Sequence, residues 1–150
     1  MSTINNIEFI FADKKHKDWF SSNWGELVGR HMHLDNGFSI VAIHKDIPIA
    51  VISVYWKKWT YPLEYNFDGY IDTIEVKKEY RRYGIGRKLV EIAESTCKDK
   101  NIYQIRAWSS EDKTEALLMW KSLGYAMCPA RIMVGKNEIK VNGYYVAKIL

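Results

Sequence analysis

The chain has 150 residues, enough for one domain with a sizeable core, and its 47% hydrophobic and 27% charged residues are an ordinary balance for a soluble globular protein. A formal net charge of +4 suits an anionic ligand but is too small to indicate nucleic acid by itself. Two cysteines, with no CxxC pair and no His cluster around them, point to thiols in a reducing compartment and away from a zinc site.

The N-terminus, MSTINNIEF, lacks a basic region followed by an apolar stretch, so no signal peptide is expected. The longest mostly apolar run, Ile47 to Trp56, contains Pro48 and is too short to cross a bilayer. A cytoplasmic protein without a membrane partner is the expectation.

Residues 7–12 read as a short strand, and 14–30 as a helix with Trp19, Phe20, Trp24, Leu27 and Val28 at helical spacing. Residues 38–44 and 49–56 form a hairpin around Lys45-Asp46, with Pro48 tolerated at the start of its second strand. Residues 57–68 form an aromatic loop carrying Pro62, Glu64 and Asp68, and 70–76 are a β-rich run. After a glycine turn at 81–86, Leu89, Val90, Ile92, Ala93, Thr96 and Cys97 mark the buried stripe of a helix that Asn101 ends. A strand follows at 102–108. Asp112 with Glu115 matches a capping pattern for a helix bearing Ala116, Leu117, Trp120 and Leu123, and Gly124 is its natural C′ residue. Strands at 130–135 and 143–149 flank a turn at Lys136-Asn137, with Gly143 opening the last. The order β-α-β-β-β-α-β-α-β-β predicts an α/β sheet with helices on its faces, in one domain over 1–150 without a linker.

The stretch RRYGIGRK, residues 81–88, stands between a strand and a helix. A helix start carries unpaired N–H groups and the positive end of the macrodipole. Glycines there let the backbone approach a phosphate, and arginines add charge-assisted hydrogen bonds. The competing reading is a simple turn with solvated basic residues. A P-loop requires G-x-x-x-x-G-K-S/T, which Gly84 does not begin, and a dinucleotide fingerprint requires a third glycine where Leu89 stands.

Arg81-Arg82-Tyr83-Gly84-Ile85-Gly86 resembles the R/Q-x-x-G-x-G/A pyrophosphate loop of the GNAT superfamily of N-acetyltransferases. IDTIEVKKEY, 71–80, resembles that family's strand before the loop. ALLMWKSLGY, 116–125, resembles its later helix, usually A-x-x-x-Y-x-x-x-G-F/Y, and NGYYVAKIL, 142–150, its last strand. The resemblance is strongest over 70–125. It implies a mixed, mostly antiparallel sheet of about six or seven strands, acetyl-CoA as donor, no metal, and a primary amine of a small molecule or a protein as acceptor. It places the amides of 82–87, including Ile85 and Arg87, at the CoA pyrophosphate, with Ile74, Glu75 and Val76 beside the pantetheine arm and the Val76 N–H near the thioester carbonyl. The family often dimerises, so a homodimer is one expected state.

Direct transfer needs a neutral amine, and an alkylamine with a pKa of about 10 must first lose a proton. The candidate bases are Asp72, Glu75, Asp68 and Glu64. Strand alternation puts Asp72, Ile74 and Val76 on one face and Thr73 and Glu75 on the other, unless a bulge intervenes. A carboxylate inside an apolar strand is costly to bury unless paired or functional, which favours Asp72 and Glu75, with Asp72 first. The family's helix Tyr, which donates a proton to the CoA sulfur, is replaced by Trp120, whose indole N–H is not a usable acid. The family's Asn before that helix is Lys113 here, so Ser109 or Ser110 is expected to contact the pantetheine. Trp19, Trp24, Trp56, Trp59, Tyr61 and Tyr65, with Glu64 and Asp68 at the rim, are expected to line the acceptor pocket. His31 and His33 read as surface residues. A CoA-binding module without turnover and a basic nucleic-acid-binding domain are the alternatives; the cations gather at one turn rather than along a face, which argues against the second.

Overall fold

The computed structural model describes residues 4–150. Its elements are β1 (Ile7–Phe11), α1 (Lys14–Asn23), α2 (Glu26–Arg30), β2 (Gly37–His44), β3 (Ile47–Lys58), β4 (Phe67–Val76), α3 (Ile85–Asp99), β5 (Gln104–Ser110), α4 (Thr114–Ser122), β6 (Ala126–Val134) and β7 (Ile139–Ile149). One seven-stranded sheet runs in the order β1-β2-β3-β4-β5-β7-β6. Only β4 and β5 pair in parallel; every other neighbour is antiparallel. The mixed, mostly antiparallel sheet expected from the sequence is present.

Local chemistry sets the elements. The Asp13 side chain accepts from the His16 N–H at 3.1 Å, and the His16 ring returns the favour to the Asp13 N–H, a capping box for α1. The expected single helix over 14–30 breaks at Gly25, whose φ of 111° no helix accommodates. Lys45 and Asp46 both have positive φ, the signature of a two-residue hairpin turn whose twist suits its strands. α3 buries Leu89, Val90, Ala93 and Cys97 of the expected stripe and Ile85 besides, while Ile92 and Thr96 are half-buried, and Asn101 follows its end at φ 59°. The capping pattern expected at Asp112 does not form. α4 starts at Thr114 with no side-chain cap, Asp112 bonds Ser110, and Glu115 pairs with Arg82. Strands β6 and β7 begin four residues earlier than expected, at Ala126 and Ile139 instead of 130 and 143, so Gly143 lies inside β7. A Cβ there would collide with the Ser109 carbonyl on β5.

Each face of the sheet has its own core. α3 and α4 cover one, where Ile40, Ile52, Val54, Ile71, Ile105 and Trp120 meet the α3 stripe. α1 and α2 cover β1 to β3 on the other, where Phe20 and Met32 pack on Val41 and Val51. The same face of β3, β4, β5 and β7 carries Tyr55, Tyr70, Arg106, Trp108 and Tyr145 around its middle. Trp108 packs edge-on against Tyr145 at 5.0 Å, and Tyr55 against Tyr70 at 5.2 Å.

Asp68 is the first buried residue of β4 and not part of the preceding loop. Its carboxylate accepts from Trp59 Nε1 at 2.7 Å and from Gln104 Nε2, and Arg106 Nε approaches it at 2.8 Å. The Arg106 N–H is not aimed at the oxygen, so that contact is an ion pair rather than a hydrogen bond. Both oxygens of this carboxylate serve the fold. Asp68→Asn should lower unfolding free energy by roughly 1–3 kcal/mol, because it leaves buried donors facing an amide. Urea denaturation should show that loss, with affinity for any ligand of the glycine turn unchanged.

Candidate active site

β4 and β5 are bonded only at Gly69–Ile105, Tyr70–Arg106 and Ile71–Ala107. Beyond that, β4 continues against β3 as far as Val76 and β5 against β7 as far as Ser110, and the two part company. The Lys77 N–H donates to the Ile49 carbonyl at 2.8 Å. Strand alternation therefore turns the N–H groups of Ile74 and Val76 away from β3 and into the gap. The Val76 carbonyl at that edge accepts from Arg81 Nε at 3.0 Å.

The glycine turn closes the end of this gap. Arg82 has φ 69° and Gly84 has φ 77°, so the chain enters α3 through left-handed residues. Gly84 is the N-cap and offers no side-chain oxygen to the helix. The first helical bond runs from Lys88 N–H to the Gly84 carbonyl at 3.0 Å, which leaves the N–H groups of Ile85, Gly86 and Arg87 free of the helix. Tyr83 is exposed beside them. The Arg82 guanidinium lies 3.4 Å from Glu115, and Arg87 bonds Ser122, so both side chains lean on α4. A Cβ on Gly86 would stand 3.6 Å from Met119 Sδ and 3.7 Å from Val76 Cγ2, ordinary contact distances. The protein's own packing therefore does not require glycine at 86; leaving that space clear keeps the mouth between β4, α3 and α4 open. Gly84→Ala, forced into the left-handed region, should cost about 1–2 kcal/mol of stability, read as a lowered urea midpoint.

The other side of β4 is set by a bulge. Ser53 faces Thr73 while Val54 faces Ile71, so Asp72 is an extra residue. The expected parity is thereby overturned. Ile71, Ile74 and Val76 all pack on the α3 side. Glu75 lies opposite Val51, which belongs to the α1–α2 side, and Asp72 points to that side as well. Asp72 and Glu75 share a face rather than dividing between two. Asp72 Oδ2 is met by His31 Nδ1 at 2.8 Å and His33 Nε2 at 2.7 Å. The two histidines are not idle surface residues. Burial and the charge of Asp72 raise the pKa of Tyr55. Burial first, then Tyr55, Tyr145 and Asp72, push Tyr70 up to about 12 against the opposing pull of Arg106. These phenols stay neutral at physiological pH and can donate hydrogen bonds beside the carboxylate.

The loop between β3 and β4 lies away from the glycine turn. Lys58 is opposite Phe67 and Ala50 opposite Val76, so Trp59, Tyr61, Glu64 and Tyr65 sit at the far end of β4 from the glycine turn, about 30 Å away along the strand. Trp56 packs on Phe38 in the core. Trp24 does reach the site. With Glu75, Val76, Lys77, Lys78 and Arg81 it lines an open cavity of about 260 Å³. Ser109 is buried, on the same side of β5 as Ile105 and Ala107 and directly opposite Tyr144.

The acetyltransferase (GNAT) family profile matches residues 3–125. The chain belongs to the GNAT family. Its members are acetyl-CoA-dependent acetyltransferases, and this chain is one of them. No curated protein matches the sequence significantly. Solved structures agree in fold. An IAA acetyltransferase from Bacillus cereus is 16% identical with a TM-score of 0.71, over 97% of this chain and all of that one. A GNAT family acetyltransferase from Elizabethkingia anophelis with acetyl-CoA bound is 16% identical, TM-score 0.71, over 98% and 100%. A ribosomal-protein-alanine N-acetyltransferase from Brucella melitensis is 16% identical, TM-score 0.74, over 95% and 99%.

Within this GNAT chain, Trp120 fills the position of the family's helix Tyr. It is fully buried, 4.8 Å from the Tyr125 ring, and its Nε1 has no hydrogen-bond partner among the described residues. Sequence reasoning missed His31 and His33. The available signal was their i, i+2 spacing around Met32, which is buried at the close of α2. Nothing local says that Asp72 lies there. Among the described residues no group of His, Cys, Asp or Glu is arranged to hold a metal ion, and no helix is long and apolar enough to cross a membrane.

Proposed function

We propose that this chain moves an acetyl group from acetyl-CoA directly to a primary amine. The observation that carries the reading is the pairing of two features on opposite faces of β4. An uncapped, cationic helix start opens beside the β4–β5 gap on the α3 side, and a carboxylate stands in a bulge on the other.

The fit to acetyl-CoA is chemical. Free amides of Ile85, Gly86 and Arg87 suit a pyrophosphate, and the arginines at 81, 82 and 87 add positive charge. The gap-facing N–H groups of Ile74 and Val76 suit the amides of a pantetheine arm. The Val76 N–H is the donor in place for the oxyanion that forms when an amine adds to a thioester. Ser109, buried on the α3 side of β5, supports the far wall. Acetyl-CoA supplies an activated acyl group; the chain supplies position and a base.

Asp72 is the group we assign to take the amine's proton. Its Oδ2 is held by two imidazoles, and no hydrogen bond from the described residues reaches Oδ1. Glu75, on the same face, lines the cavity with Trp24. The aromatic surface of Tyr55, Tyr70, Trp108 and Tyr145 suits a cationic amine, of a small molecule or of a protein, through cation–π contact.

Calorimetric titration with acetyl-CoA should show saturable one-to-one binding, and Gly86→Glu should abolish it by setting an anion against the pyrophosphate. Retained affinity in Gly86→Glu would move the phosphate site elsewhere. Asp72→Asn should keep the affinity for acetyl-CoA and slow thiol release by about 100-fold or more across an amine panel. An unchanged rate would reassign the base. Binding with no thiol release from the wild type would instead identify a CoA-binding module without turnover.

A further inference from the structure

His31 and His33 leave the close of α2 and meet one oxygen of one carboxylate. The segment that carries them is fastened residue by residue. The His31 N–H donates to the Leu27 carbonyl and the Met32 N–H to the Gly29 carbonyl, both at 3.1 Å. The Met32 side chain is buried completely, and its carbonyl accepts from Lys17 Nζ at 2.9 Å. The His33 N–H donates to Ser53 Oγ at 2.7 Å, and its carbonyl accepts from Ser39 Oγ at 2.8 Å. Ser39 and Ser53 are themselves buried and bonded to each other at 3.0 Å. Buried hydroxyls are costly unless their hydrogen bonds are made. Here they make bonds that fix the backbone of His33, and the His33 ring rests 5.0 Å from Tyr55. A solvated pair of histidines would need none of this.

We propose that His31 and His33 are positioning residues for Asp72: together they hold Oδ2 and leave Oδ1 as the single oxygen that accepts the acceptor amine's proton. The inference rests on the acetyltransferase reading above. To donate to Oδ2, His31 carries its proton on Nδ1 and His33 on Nε2. The free Nε2 of His31 belongs to a side chain 41% exposed, while the Asp72 and His33 side chains are 22% and 20% exposed. The groups facing the carboxylate are the two rings, Tyr55 from β3 and Tyr70 from β4, with Arg106 of β5 and Tyr145 of β7 behind them and Glu75 further along β4.

The test compares two double variants of the full chain. His31→Ala with His33→Ala removes both donors. His31→Asn with His33→Gln keeps a donor near each original nitrogen. The first should lower kcat by about 10- to 100-fold, part of a general base's contribution, with acetyl-CoA affinity and unfolding midpoint near wild type. The second should regain most of that kcat. Nitrogen-15 spectra of the imidazoles should show Nδ1–H at His31 and Nε2–H at His33 in the wild type, with the preference lost in Asp72→Asn. Alanine variants with wild-type kcat would overturn the inference while the wild type still turns over. So would an Asn/Gln pair as slow as the Ala pair, or rings without the stated tautomers. A wild type that binds acetyl-CoA but acetylates nothing would overturn the acetyltransferase reading and this inference together.

Discussion

One extra residue in β4 decides which side chains can act together. Without the bulge at Asp72, strand alternation would put Ile74 and Val76 on the same side as the carboxylate. With it, the apolar residues of the strand turn to the α3 core while Asp72 and Glu75 look the other way. A bulge also increases local twist. The last residue of β4 bonded to β5 is Ile71, immediately before the extra one. The same distortion that re-aims the carboxylate therefore marks where the parallel strands separate, and the separation exposes the N–H groups of Ile74 and Val76. The placement of the carboxylate and the opening of the gap are two consequences of one insertion.

The glycine turn shows a different trade. A Ser or Asp at position 84 would satisfy an amide of α3 and typically contribute about 1 kcal/mol. Gly84 contributes no such bond and carries φ 77°, and Arg82 takes a left-handed conformation that a side chain disfavours. A folded protein retains such local cost when the surrounding structure fixes it and the site uses it. Here Arg82 and Arg87 are tied back to α4, which leaves the backbone, not the long side chains, as the surface facing the mouth.

The order of elements along the chain and α3 were legible because their cause is local. The short apolar runs of β2 and β3, the Lys45-Asp46 turn and the helical spacing from Leu89 to Cys97 are each written within a few residues. The glycine turn was legible for the same reason. What escaped depended on long-range pairing. Asp68 is assigned to the loop by its neighbours, and only its approach to Arg106 and Gln104, far along the chain, makes it structural. The aromatic loop at 57–68 was composed like a pocket, but register places it at the wrong end of β4. His31 and His33 lie 41 and 39 residues from their partner, a relation no local pattern contains. The bulge that links them has no composition of its own.

In the reaction proposed above, Trp120 in place of the family's helix Tyr leaves no phenol acid on the leaving-group side. The two protons in the reaction are not equally demanding. An ordinary thiol ionises near about 8.5, so a thiolate is a stable leaving group near neutral pH and needs little help. An alkylammonium near about 10 does not yield its proton unaided. A chain that keeps a positioned carboxylate and gives up a phenol therefore keeps the group with the larger effect on rate. The phenols near the carboxylate do not make up the loss: Tyr70, pushed to about 12, is a weaker acid than the thiol it would protonate. Trp120 is free, on this reasoning, to serve packing, and its complete burial between α3 and Tyr125 shows that it does.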